Sequence, residues 1–195
     1  MDAIIHVYTY KEGLLSKLAH DLRFTLSRFN ISARGSEIIA RFEVGSLRVD
    51  GVIRDGKLER NELSPTDREK ILATLKDVLS AREYGEVKLS ARLLTKEPPF
   101  VMDGQLTLRA ETKPIMLRLE RQEDRLVGDF TIVPSQWGVR PYRALGGALK
   151  VQDRVRISVD ASAEWLTHGG ELNPAIELTW MPRPSRTSMR PSAHT

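Results

Sequence analysis

Most of this chain alternates between apolar and polar residues. Leu22, Phe24 and Leu26 take turns with Arg23, Thr25 and Ser27, and the phase then slips so that Phe29 and Ile31 carry the apolar side. Ile38, Ala40, Phe42 and Val44 alternate with Arg41 and Glu43, and Val87, Leu89, Ala91 and Leu93 with Lys88, Ser90 and Arg92. The same period returns in Leu106 and Leu108, in Ile115, Leu117 and Leu119, in Leu126, Gly128, Phe130 and Ile132, and in Val155, Ile157, Val159 and Ala161. Neighbouring residues of a strand point to opposite faces, so each run predicts a strand with one dry and one wet side. With residues 4–10 this makes about eight strands, and the slip after Leu26 reads as a bulge. Strands of this kind form antiparallel sheets. A single dry face is then buried by closing the sheet into a barrel, which also removes its exposed edges. The expected fold is all-β with one helical excursion, a closed or nearly closed antiparallel barrel.

The excursion is "SPTDREKILATLKDVLSARE". Ser64 is a good N-cap, Pro65 suits the first helical position, and Asp67 three residues after Ser64 makes a variant capping box. Ile71, Leu72, Leu75, Val78 and Leu79 fall on one stripe at helical spacing. The pattern predicts an amphipathic helix over 65–82, packed at one end of the barrel. Beyond Trp165 the composition shifts to "HGGELNPAIELTWMPRPSRTSMRPSAHT", which reads as a tail. The expected organisation is a barrel domain over 1–166 and a Pro- and Arg-containing tail over 167–195. In that tail Ile176, Leu178 and Trp180 alternate as a short candidate edge strand.

Composition narrows the chemistry mainly by exclusion. The chain has no cysteine, which removes disulfides, thiolate metal sites and thiol nucleophiles. Its 30 cations and 26 anions are interleaved, so the net charge of +4 makes no basic patch and nucleic acid is not an expected partner. No run approaches the roughly 18 apolar residues of a membrane span, and the start "MDAIIH" lacks the basic and apolar regions of a secretion signal. A soluble, cytoplasmic protein without stable membrane insertion is expected.

The motifs that could carry catalysis are incomplete. Gly51 to Lys57 has the spacing of a phosphate-binding loop, but Leu58 replaces the magnesium-binding hydroxyl and the helix starts only near Pro65. Asp55-Gly56 reads instead as a hairpin turn. His20 and Asp21, with Ser16 nearby, contain the ingredients of a triad, yet adjacent strand residues face opposite ways. The histidines at 6, 20, 168 and 194 have no metal-ligand spacing. Asn30-Ile31-Ser32 matches the glycosylation pattern in form only, with no secretory signal to give it meaning. The expectation is a protein without catalytic residues, metal or cofactor.

The ordered segments resemble a known family. "SKLAHDLRF" (16–24), "GSLRVDG" (45–51), "DREKILATLKDVLSAREYGEVKLSA" (67–91), "DGQLTLRAETKPIMLRL" (103–119) and "VGDFTIVPSQWGVRPYRALGGALKVQDRVRISVDA" (127–161) resemble, in this order, the pieces of the YceI-like polyisoprenoid-binding proteins. The likeness spans about residues 4–163, and many members of that family are exported. It implies a lipocalin-like barrel that holds a long isoprenoid, or a quinone-like lipid, and performs no catalysis. The interior ligand-binding residues would then be Phe24, Leu26, Phe42, Leu89, Ala91, Leu106, Leu108, Leu117, Phe130, Ile157 and Val159. It places "WGVRPYRALGGALKVQD" (137–153) at a barrel end. There Trp137 and Tyr142 would supply amphipathic rings, Arg140 and Arg143 would meet an anionic head group, and His20 would join the mouth.

An eight-stranded barrel is either filled by its own side chains or holds one small ligand. Which of these applies depends on whether the dry faces are under-filled; the small residues Ala40, Ala91, Gly128 and Ala161 interrupt larger ones there. The competing expectation is a side-chain-filled structural barrel that acts as a protein-interaction module, and a homodimer is compatible with either.

Overall fold

A computed structural model describes residues 3–12, 20–147 and 149–166. Its strands are β1 (Ala3–Glu12), β2 (Asp21–Leu26), β3 (Phe29–Arg34), β4 (Glu37–Glu43), β5 (Leu47–Arg54), β6 (Lys57–Glu59), β7 (Glu86–Leu93), β8 (Phe100–Leu108), β9 (Glu111–Gln122), β10 (Arg125–Ile132), β11 (Arg143–Ala144) and β12 (Leu149–Ser162), with one helix, α1 (Pro65–Val78).

The pairings show how the barrel closes. β2 runs into β3, and β4 into β5, as two long bent strands; β3 pairs with β4 and β2 with β5. Outward from this pair, β4 is joined to β7, then β8, β9, β10, β12 and β1, and β1 returns to β2, every step antiparallel. Counting each bent pair once gives the eight staves that the alternation predicts. At the bend Ser27 Oγ donates to the Ser46 carbonyl (2.7 Å) and the Arg28 N–H to Ser46 Oγ (2.9 Å). Both serines are buried. The phase slip between Leu26 and Phe29 is therefore a corner where both strands of a hairpin turn together. Each half keeps its apolar side inward.

Local chemistry sets the other junctions. Between β5 and β6 only Asp55 and Gly56 separate the paired residues Arg54 and Lys57, with φ of 50° and 76°. Two left-handed residues in a two-residue loop are what a type I′ hairpin requires. The helix opens with the expected capping box: Ser64 Oγ accepts from the Asp67 N–H (3.1 Å) and Asp67 Oδ2 from the Ser64 N–H (3.3 Å). It ends at Val78 rather than 82 because Ser80 is left-handed (φ 51°), and the N–H groups of Ser80 and Ala81 turn back to the Asp77 and Lys76 carbonyls. The Arg68 guanidinium ties the first half of the helix to the wall, donating to the carbonyls of Val49 (2.5 Å) and Arg60.

The two ends of the barrel are packed differently. At the end away from the helix, Ala3, Phe29, Ile31, Ile38, Ala40, Ala91, Met102 and Ala161 meet in a continuous buried core. At the helix end there are two separate wall clusters. Phe24, Val49, Val52 and Leu63 pack with Ile71, Leu72 and Leu75 of α1, while Leu106, Leu108, Trp137 and Val139 pack with Val78 and Leu79. The helix bridges them like a lid, and no residue of it is fully buried.

The small inward residues do not make the hollow. Ala40, Ala91 and Ala161 belong to the solid end, where large neighbours fill the space they leave. Gly128 is a point of close approach: a Cβ there would lie 2.6 Å from the Arg118 carbonyl oxygen and 2.5 Å from a Leu119 methyl, so β9 and β10 can cross only over a glycine. The proposed edge strand at Ile176, Leu178 and Trp180 lies outside the described residues.

Candidate functional site: an apolar cavity at the helix end

The barrel holds a partly open cavity of about 180 Å³. Its walls come from the inward positions of nearly every stave: Ile5, Val7 and Thr9 on β1, Phe24 and Leu26 on β2, Leu47 on β5, Val87 and Leu89 on β7, Leu106 and Leu108 on β8, Ile115 and Leu117 on β9, Phe130 and Ile132 on β10, and Val155, Ile157 and Val159 on β12. Phe42, Val44 and Pro134 complete the sides, and Leu75 and Leu79 of α1 form the roof. Thr9 is the one residue of this lining with a polar side chain. Phe42, Leu89, Phe130, Ile157 and Val159 point inward yet are only partly buried. They border the open space while packing against the buried core.

The interior candidates are brought together here with one exception. Phe24, Leu26, Phe42, Leu89, Leu106, Leu108, Leu117, Phe130, Ile157 and Val159 all line the cavity, whereas Ala91 lies in the solid core beyond it. Among the lining residues absent from that set are Ile5, Val7, Ile132 and Val155, which share the phase of their strands, and Leu75 and Leu79, which share the helix stripe. Following each phase toward the helix end would have found them.

None of the five mouth candidates lines the cavity itself. Trp137, expected as an amphipathic ring at the mouth, is 3% exposed and its Nε1–H donates to the Leu106 carbonyl at 3.0 Å. It is a wall residue behind the cavity, delivered by the short 3-10 turn Pro134–Trp137. Tyr142, Arg140, Arg143 and His20 are exposed, and none lines the cavity. Asp21 turns away from His20 and accepts the Lys11 N–H at 2.8 Å. The two do not form a base and its orienter.

The outer surface has polar features of its own. A depression of about 260 Å³ lies outside β4, β7 and β8 between Glu37, Ile39, Arg92, Asp103 and Gln105; it is open to solvent and mixed in polarity. On the opposite wall Asp50 accepts from Arg23 Nε (2.7 Å) and Thr25 Oγ1 (2.9 Å), with His6 Nε2 at 3.9 Å. No group of three or more metal-ligating side chains occurs among the described residues, and no helix among them is long and apolar enough to cross a membrane.

His6 gives this wall a pH dependence. Burial, then the Arg23 charge, lower its pKa from 6.5, against the opposing pull of Asp50 and Asp160, while Arg60 adds slightly to the lowering. The folded state therefore disfavours the protonated ring. As pH falls through 6.5 the unfolded chain takes up this proton first, and stability falls until the folded ring is protonated too. His6→Gln is expected to flatten the stability profile as pH falls below the ordinary histidine value of 6.5, read by urea denaturation at a series of pH values.

Comparison with known proteins agrees with this architecture. The YceI-like domain model matches residues 30–163, more than half of the chain. No curated protein sequence matches it. Among solved structures, BcnA from Burkholderia cenocepacia is 10% identical with a TM-score of 0.55, over 81% of this chain and 94% of that one. The Campylobacter jejuni YCEI protein is 14% identical with a TM-score of 0.46, over 71% and 83%. The BcnA likeness is one of fold alone; the family follows from the domain match together with the eight-stave barrel and its helical lid. The chain belongs to the YceI-like family.

Proposed function

We propose that this protein binds the apolar chain of a lipid, an isoprenoid or quinone-like tail, in the hollow end of its barrel, and that it sequesters or carries this ligand without a chemical step. The lining of the cavity carries the proposal, because Thr9 is the one polar side chain in an otherwise aliphatic and aromatic wall. Such a space stays dry and attracts an apolar guest. Each methylene moved into it from water contributes about 0.8 kcal/mol, before the cost of ordering the chain is subtracted. A polar head has no partner inside and stays outside. There the loop after Pro134, with its exposed Arg140 and Arg143, offers positive charge to an anionic head group.

Natively purified protein, extracted with organic solvent and examined by mass spectrometry, is expected to release an apolar lipid. Protein stripped of lipid is expected to take up an environment-sensitive apolar dye and to give it up to an added isoprenoid alcohol. An empty extract together with no dye uptake would overturn the proposal.

A further inference from the structure

We infer that the cavity accepts only a short length of apolar chain, and that its packed floor sets the limit. The inference rests on the lipid-binding reading and concerns what that reading leaves open, namely how much of a ligand enters. Among the described residues, the apolar cavity lies toward the helix end and the buried core toward the other. Leu26 and Leu117 line the cavity and also belong to the buried core that holds Phe29, Ile31 and Met102, none of which lines the cavity. Met102 pairs directly across the β8–β9 ladder with Leu117 but does not itself line the cavity.

The volume then fixes the length. An apolar cavity of roughly 150 Å³ holds one benzene ring, so about 180 Å³ takes roughly six to eight carbons, about one to two five-carbon units. A longer lipid must leave the rest of its chain beyond the helix lid. The site is thus selective for the accessible end of a flexible chain, and indifferent to its total length past that point.

Isothermal titration of lipid-free protein with unbranched primary alcohols from butanol to dodecanol tests this. Affinity should rise roughly fourfold per methylene up to about seven or eight carbons and then level off. In Leu117→Ala and Met102→Ala, which open the floor downward, the levelling point should move to longer chains. A rise that continues unbroken to dodecanol in the unaltered protein would overturn the length limit while leaving the binding site standing. Failure of every alcohol to bind would overturn the lipid-binding reading and the length limit with it.

Discussion

Trp137→Ala is expected to destabilise the protein by about 3–5 kcal/mol, the range for truncating a buried large aromatic, and to lower the melting temperature by roughly 10 °C or more. The indole is 3% exposed and packs with Leu106, Leu108 and Val139. The same cluster holds Val78 and Leu79, so its loss also loosens the far end of the helix lid. Its Nε1–H bond to the Leu106 carbonyl fixes the ring orientation. Trp137→Phe keeps most of the apolar contact and loses this bond, which should cost about 1 kcal/mol. Urea denaturation of both variants separates packing from hydrogen bonding. A loss below about 1 kcal/mol for the alanine variant would mean that the ring is not structural, and would return it to the mouth role that the sequence suggests.

That contrast shows where the sequence stops being informative. The staves are legible because a sheet with one dry face leaves a period of two in the chain, and this alternation also marks the inward side of the strands after the first. The helix start and the β5–β6 turn are legible because capping and left-handed turns depend on neighbours a few residues apart, as at Ser64 and Asp67 or Asp55 and Gly56. Trp137 is different. Its flanking Gly138, Arg140 and Pro141 have the composition of a surface loop, and its burial depends on a contact with Leu106, distant in sequence. The place of the hollow is not legible either, because barrel width depends on how strands coil and cross. Ala40, Ala91 and Ala161 lie among larger neighbours in the buried core, while the cavity is lined by Leu, Phe, Ile and Val. A residue's size says little until the local radius is known.

Paired enlargements follow from that argument and carry opposite signs. Ala161→Leu adds bulk to the solid end, where the residue is 2% exposed among Ala3, Phe29 and Met102; overpacking there should cost about 1–3 kcal/mol. Val155→Phe adds bulk at the cavity wall, where the residue sits between Thr9 and Ile132 and all three face the open space. The ring has room to enter. It should leave stability within about 1 kcal/mol of the parent, while occupying space that a ligand would need and weakening uptake of an apolar dye or short alcohol by tenfold or more. Binding and stability are thus separated within one domain: Ala161→Leu should lower the urea midpoint and retain affinity in the folded fraction, and Val155→Phe should do the reverse. Equal destabilisation by the two would mean that the helix end is as tightly packed as the other. The cavity would then not exist in solution as a space that a ligand could fill.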